Sequence, residues 1–168
     1  MENKLIYNQN KMPEAHKRYG LRSSSNTGCG WVATYNALVL LGRNPEPQKL
    51  IKYYESHFPI VNGNFGTFIL NVVKLFKELK YEVKVTDNKS RFDELAKNSD
   101  VCIMFYHWRK KFSFGAHYVA LHYNDGLYTG YNTFSNSDGP DNYGKSLEAF
   151  INRRKYFGCI LLGINKKV

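Results

Sequence analysis

The apolar residues of this chain change their period part-way along, and that change limits the fold more than any other feature. Trp31, Val32, Tyr35, Leu38 and Val39 recur at steps of one, three, three and one. Ile69, Val72, Phe76 and Leu79 follow at steps of three, four and three. Both are helical stripes, the second with Lys74, Lys77 and Lys80 on its wet side. After residue 100 the pattern becomes that of strands: an apolar run over 101–106, another segment over 116–123, a return over 127–132 and a last run over 159–164. Helices first and a mostly antiparallel sheet second is an α+β layout, in which the helices must cover the sheet.

The joints agree with that reading. A polar cluster over 23–28 leads into the first helix, predicted from Cys29 until Gly42 stops it ahead of Pro45 and Pro47. A short helix is predicted from Pro47, with Leu50, Ile51 and Tyr54 facing inward, and a loop over 62–66. Tyr81, Val83 and Val85 alternate as in a half-buried strand. Ser90 with Asp93 three residues on resembles a helix cap. Asn124-Asp125-Gly126 suits a hairpin turn, and a final helix is expected over 146–154. Residues 1–25 read as largely irregular, and no linker or repeat divides the 168 residues, so one domain over 1–168 is expected.

Composition narrows the class. A chain 43% hydrophobic and 23% charged is neither disordered nor fibrous. Three cysteines, Cys29, Cys102 and Cys159, are too few for a disulfide framework and fit a reducing compartment. The N-terminal stretch holds no signal-peptide core, and no apolar run approaches the ~20 residues that span a bilayer. A cytoplasmic protein without a membrane partner is expected, although export by a machine that reads no cleavable signal fits the same sequence.

Chemistry concentrates at Cys29. It stands where a polar loop meets a helix N-terminus, whose free N–H groups and positive dipole end favour a thiolate and lower its pKa. Gly28 and Gly30 flank it, and its own N–H is a candidate oxyanion donor. The alternative is a small buried hydrophobe opening a core helix, as most free cysteines are; Cys102 and Cys159, inside strand patterns, take that second reading.

A thiolate needs a base. His16 and His57 lie in polar contexts, His107 ends a strand and His122 lies near the far end of one. His117 opens an apolar strand directly after Gly115-Ala116. Nucleophile plus separate base is the minimum set for acyl transfer, though a strand histidine can equally be structural. The hairpin turn at 124–126 brings Asn132 back beside His117, where a side chain could fix the imidazole tautomer; a plain strand-ending turn residue is the other reading.

The order Cys29, His117, Asn132 resembles the papain-like cysteine peptidases. More narrowly, NTGCGWVATYNALVLLG at 26–42 and GAHYVALHYNDGLYTGYN at 115–132 are similar to the bacteriocin-processing-type C39-like group. The resemblance implies a papain-like α+β domain, a nucleophile at Cys29, a base at His117 and an orienting residue at Asn132. It also implies cleavage of a peptide or related amide bond through a thioester, on a peptide or protein substrate.

Two departures stand out. The group carries a glutamine several residues before its cysteine to complete the oxyanion hole; here Ser23 holds the position six before. Asn26 could supply a similar amide, closer and on a shorter stem. The third residue is usually Asp in that group, whereas Asn132 matches the papain pattern.

No zinc spacing and no phosphate-binding glycine loop occurs, so no metal or nucleotide cofactor is indicated. The net charge of +10 includes Arg109-Lys110-Lys111 between Trp108 and Phe112, and Arg153-Arg154-Lys155 before Tyr156 and Phe157. Such runs can bind single-stranded nucleic acid or be solvated ends. A catalytically inactive papain-like binding module and a basic nucleic-acid binder are therefore the alternatives to a hydrolase.

Overall fold

A computed structural model describes residues 4–12, 18–57 and 67–167. His16 and the expected loop at 62–66 lie outside the described residues. Six helices and eight strands are described. The helices are α1 (Ser24–Thr27), α2 (Cys29–Leu40), α3 (Pro47–Ser56), α4 (Ile69–Glu78), α5 (Phe92–Lys97) and α6 (Leu147–Arg154). A two-strand ribbon, β1 (Arg18–Tyr19) with β2 (Arg22–Ser23), precedes α1.

The remaining strands are β3 (Glu82–Thr86), β4 (Val101–Lys110), β5 (Ser113–Asn124), β6 (Leu127–Tyr131), β7 (Asp141–Gly144) and β8 (Phe157–Asn165). They form one sheet in the order β3-β8-β4-β5-β6-β7, antiparallel throughout.

The two-residue period of the strands feeds two cores. Val101, Ile103, Tyr118, Ala120, Leu162 and Ile164 face α2, α3 and α4, where Trp31, Tyr54 and Phe76 are fully buried. Cys102, Met104, Val119, Leu121 and Leu161 face the other way, onto Phe92 of α5 and Leu147, Phe150 and Ile151 of α6. The N-terminal helices thus cover one face of an antiparallel sheet, as expected, and the two short later helices cover the second. No described helix is long and apolar enough to cross a membrane.

Helix α2 departs from its expected stripe. Residues 29–38 are buried all round, Thr34 and Asn36 included. A helix enclosed on every side must satisfy its polar groups internally. The Thr34 hydroxyl meets the Gly30 carbonyl at 2.9 Å and the Tyr54 hydroxyl at 2.6 Å. The Asn36 carboxamide pairs with both main-chain groups of Ile6 at 2.8 Å, docking the N-terminal segment on the helix.

Other boundaries also differ. β4 and β5 run further than their apolar cores, as a hairpin paired out to Lys110 and Ser113, with Trp108 laid over Gly115. The Ser90–Asp93 cap does not form. Asn88 starts a 3-10 turn by accepting from the Ser90 N–H at 3.1 Å, so α5 begins at Phe92. Asp93 instead accepts from the Ser146 hydroxyl and the Leu147 N–H, both at 2.6 Å, and anchors the start of α6. The segment before residue 25 is less irregular than its composition suggests: it holds a 3-10 turn over Gln9–Lys11 as well as the ribbon.

Candidate active site

Cys29 opens α2 at its N-terminal end, one residue after Gly28, whose N–H is taken by the Ser24 carbonyl at 2.8 Å. Glycine at 30 is a requirement of space: a Cβ there would lie 2.4 Å from the Thr67 side chain. Thr67 is itself fixed by the Tyr19 hydroxyl at 3.0 Å and, through its carbonyl, by the Tyr118 hydroxyl at 2.9 Å. Close packing of the thiol's surroundings follows, and Cys29 is only 9% exposed.

That burial corrects the expectation of a lowered thiol pKa. Loss of solvent pushes Cys29 up to about 11, although main-chain N–H groups of Tyr118, Gly30 and Cys29 itself pull it down. Desolvation outweighs the helix end because it acts on the whole charge, whereas the N–H groups offer partial charges. At neutral pH the resting sulfur is a thiol. Cys102, pushed up to about 12, and Cys159, raised more mildly, are also buried.

His117 lies in the middle of β5, opposite Tyr106 of β4, because the strand starts earlier than expected. Its Nε2 lies 2.6 Å from the main-chain carbonyl of Asn132. A carbonyl can only accept, so Nε2 carries the hydrogen and Nδ1 of the neutral ring is left as the basic nitrogen. Burial lowers the His117 pKa below the ordinary 6.5, against the opposing effect of that hydrogen bond. The ring meets Tyr106 edge-on, centroids 5.8 Å apart.

The Tyr118 N–H that approaches the Cys29 sulfur belongs to the residue next to His117. Helix α2 therefore meets β5 at the main chain of the residue beside His117. Thiol and imidazole share no hydrogen bond among the described residues.

Asn132 reaches His117 differently from expectation. It is the first residue past β6, buried, with a left-handed φ of 63°. Its main-chain carbonyl, not its carboxamide, holds the imidazole. The carboxamide is occupied elsewhere: its oxygen accepts from the Gln9 N–H and its nitrogen donates to Gln9 Oε1, each at 2.8 Å. Gln9 Nε2 then donates to the carbonyls of Ser25 at 2.7 Å and Ser24 at 3.2 Å. Gln9 thus ties Asn132 to the loop ahead of the cysteine. Sequence reasoning missed this residue; no spacing signal marks a contact across 123 positions.

Ser23, at the position of the group's glutamine, bonds the Ser25 hydroxyl at 2.7 Å. Asn26 is exposed on α1 and lines a cavity of about 710 Å³ together with Gln9, Tyr106, Trp108, His117 and Asn132. Cys29 is not among the cavity's lining residues. The other described histidines lie apart: His57 stacks on Tyr53, His122 meets the Tyr131 hydroxyl at 3.1 Å, and His107 stacks on Phe157.

No protein-family model matches the sequence, and no curated protein matches it. Among solved structures, the chain is similar to the peptidase domain of Streptococcus ComA, described as a bi-functional ABC transporter involved in a quorum sensing pathway. The two are 14% identical, the match covers 90% of this chain and 99% of that one, and the TM-score is 0.56. Pseudomonas avirulence protein AvrPphB is 10% identical over 81% of this chain and 89% of that one, with a TM-score of 0.40. The likeness to the ComA domain is one of fold: the chain shares that domain's α+β architecture.

Proposed function

We propose that the chain is a cysteine hydrolase that cleaves a peptide or related amide bond through a thioester at Cys29. The observation that carries this reading is the 2.6 Å contact of His117 Nε2 with the Asn132 carbonyl. It leaves Nδ1 free as a base on the residue next to the one whose N–H meets the sulfur.

In this mechanism Nδ1 takes the thiol proton as the sulfur attacks the acyl carbon, so the ion pair forms during reaction and not at rest. The oxyanion is met by the Cys29 N–H and the Asn26 carboxamide. The imidazolium returns its proton to the leaving amine, which departs and leaves the thioester. Water then gives a proton to Nδ1 and attacks the thioester; the acid leaves and the thiol is restored. Asn132 acts by orienting the ring through its main chain. Because the thiol is nearly covered, substrate binding has to open its surroundings.

A second reading, a papain-like binding module without activity, is favoured by the neutral buried thiol and by the Asn132 carboxamide being turned to Gln9. One experiment separates them. The protein is incubated with a complex mixture of tryptic peptides, new termini are read by mass spectrometry, and acid-quenched protein is weighed for an acyl adduct on Cys29. Cleavage lost in both Cys29→Ala and His117→Ala supports the hydrolase. No cleavage by the unaltered protein contradicts it.

A further inference from the structure

Among the described residues, the charged side chains lining the cavity at His117 are two arginines, Arg109 and Arg154, and no acid lines it. Neither guanidinium has a carboxylate partner among the described residues. Asp138 pairs with Lys11, and Asp141 accepts from the Ser137 hydroxyl at 2.7 Å. Arg154 is held in place over the Phe134 ring, 4.5 Å from its centroid, and also approaches Phe150 at 5.8 Å. Arg109 is shared with a second cavity of about 650 Å³, lined by Lys111, Lys155 and Phe157 as well. Unpaired cations of one sign around a concave site raise the local concentration of anions.

We infer that this cavity takes an acidic peptide segment, with Arg109 and Arg154 as the residues that select Asp or Glu side chains beside the bond to be cut. Selection beside a scissile bond rests on the hydrolase reading; the anion-binding site itself does not. A carboxylate suits a guanidinium because two parallel N–H donors match its two oxygens. The hydroxyls and carboxamides of Ser25, Asn26, Asn136 and Asn10 offer partners for an extended backbone.

A single-stranded nucleic acid fits the cavity less well, because bases need free ring faces. Here Tyr106 is stacked on Tyr156 with centroids 4.1 Å apart, Phe134 carries Arg154, and Trp108 lies against Gly115.

The test is an NMR titration of the Cys29→Ala protein with acetyl-Gly-Glu-Glu-Gly-amide, its Gln-Gln counterpart and an eight-nucleotide oligo-dT. The expected result is that the acidic peptide shifts the Arg109 and Arg154 Nε–H signals and binds at least about tenfold more tightly than the Gln peptide. Arg109→Gln or Arg154→Gln, both at exposed positions, should remove most of that difference. Equal or absent binding of the two peptides overturns the inference, as do shifts confined to other surfaces or tighter oligo-dT binding at the same signals. Selective acidic binding alongside no Cys29-dependent cleavage by the unaltered protein would remove the hydrolase reading and leave the site standing.

Discussion

Gln9 and Asn132, 123 positions apart, hold each other through two hydrogen bonds of 2.8 Å, one to the Gln9 main chain and one to its side chain. The pairing fixes the N-terminal segment against the residue that orients His117, and it explains why Asn132 serves the histidine with its carbonyl.

Removing the Gln9 side chain leaves the Asn132 amide nitrogen and the Ser25 carbonyl without their partners. Gln9→Ala should therefore cost about 1–3 kcal/mol in urea unfolding. In a double-mutant cycle with Asn132→Ala the coupling should exceed about 0.5 kcal/mol. Additive effects would show that the contact does not hold in solution.

His117 should titrate below 6.5 and carry its hydrogen on Nε2 when neutral, since its acceptor is a carbonyl. Imidazole 15N shifts followed against pH read both properties. A ring that carries the hydrogen on Nδ1 contradicts the assigned base nitrogen, and one that titrates above 6.5 contradicts its desolvation.

The same burial makes stability depend on pH at both ends. The unfolded chain protonates His117 first, so this histidine's contribution is complete above 6.5 and declines as the pH falls toward the lower folded value. The unfolded chain ionises Cys29 near 9.0 and the folded one only near 11, so the thiol's contribution is present below 9.0 and is lost between those values. Thermal unfolding across this range should show Cys29→Ala losing less stability than the unaltered protein between pH 9 and 10. Parallel curves would mean that the thiol is not desolvated.

Gly30→Ala drives a methyl group into Thr67, 2.4 Å away, and should destabilise by about 1–3 kcal/mol. In a Thr67→Gly background, which removes Cβ, Oγ1 and Cγ2 together, the Gly30→Ala loss should shrink in the same unfolding assay. No recovery would place the strain elsewhere.

The apolar spacing over 31–39, 50–54 and 69–79 pointed to α2, α3 and α4, although α2 is buried all round, and Asp125-Gly126 marked the turn of the β5–β6 hairpin. β7 was not readable, because Asp141-Asn142-Tyr143-Gly144 has no apolar alternation and becomes a strand only by pairing with β6. The outer ends of β4 and β5 were hidden for the same reason: charged and aromatic residues there project from the sheet. At the candidate site, sequence pointed to residue types and chain positions. It could not show that a main-chain carbonyl would face His117, since every residue has one. Nor could it weigh the helix end at Cys29 against desolvation, which depends on Tyr19, Thr67 and Tyr118 being brought from distant segments to the start of α2.

The most direct test of the central claim is the rate at which iodoacetamide labels each cysteine at pH 7.5, read by peptide mass mapping in the unaltered protein and in His117→Ala. If His117 takes the thiol proton as the sulfur attacks, the covered Cys29 labels slowly in absolute terms and the substitution slows it at least tenfold further, about 1.4 kcal/mol of lost assistance. Equal labelling of Cys29 with and without the imidazole would contradict the account.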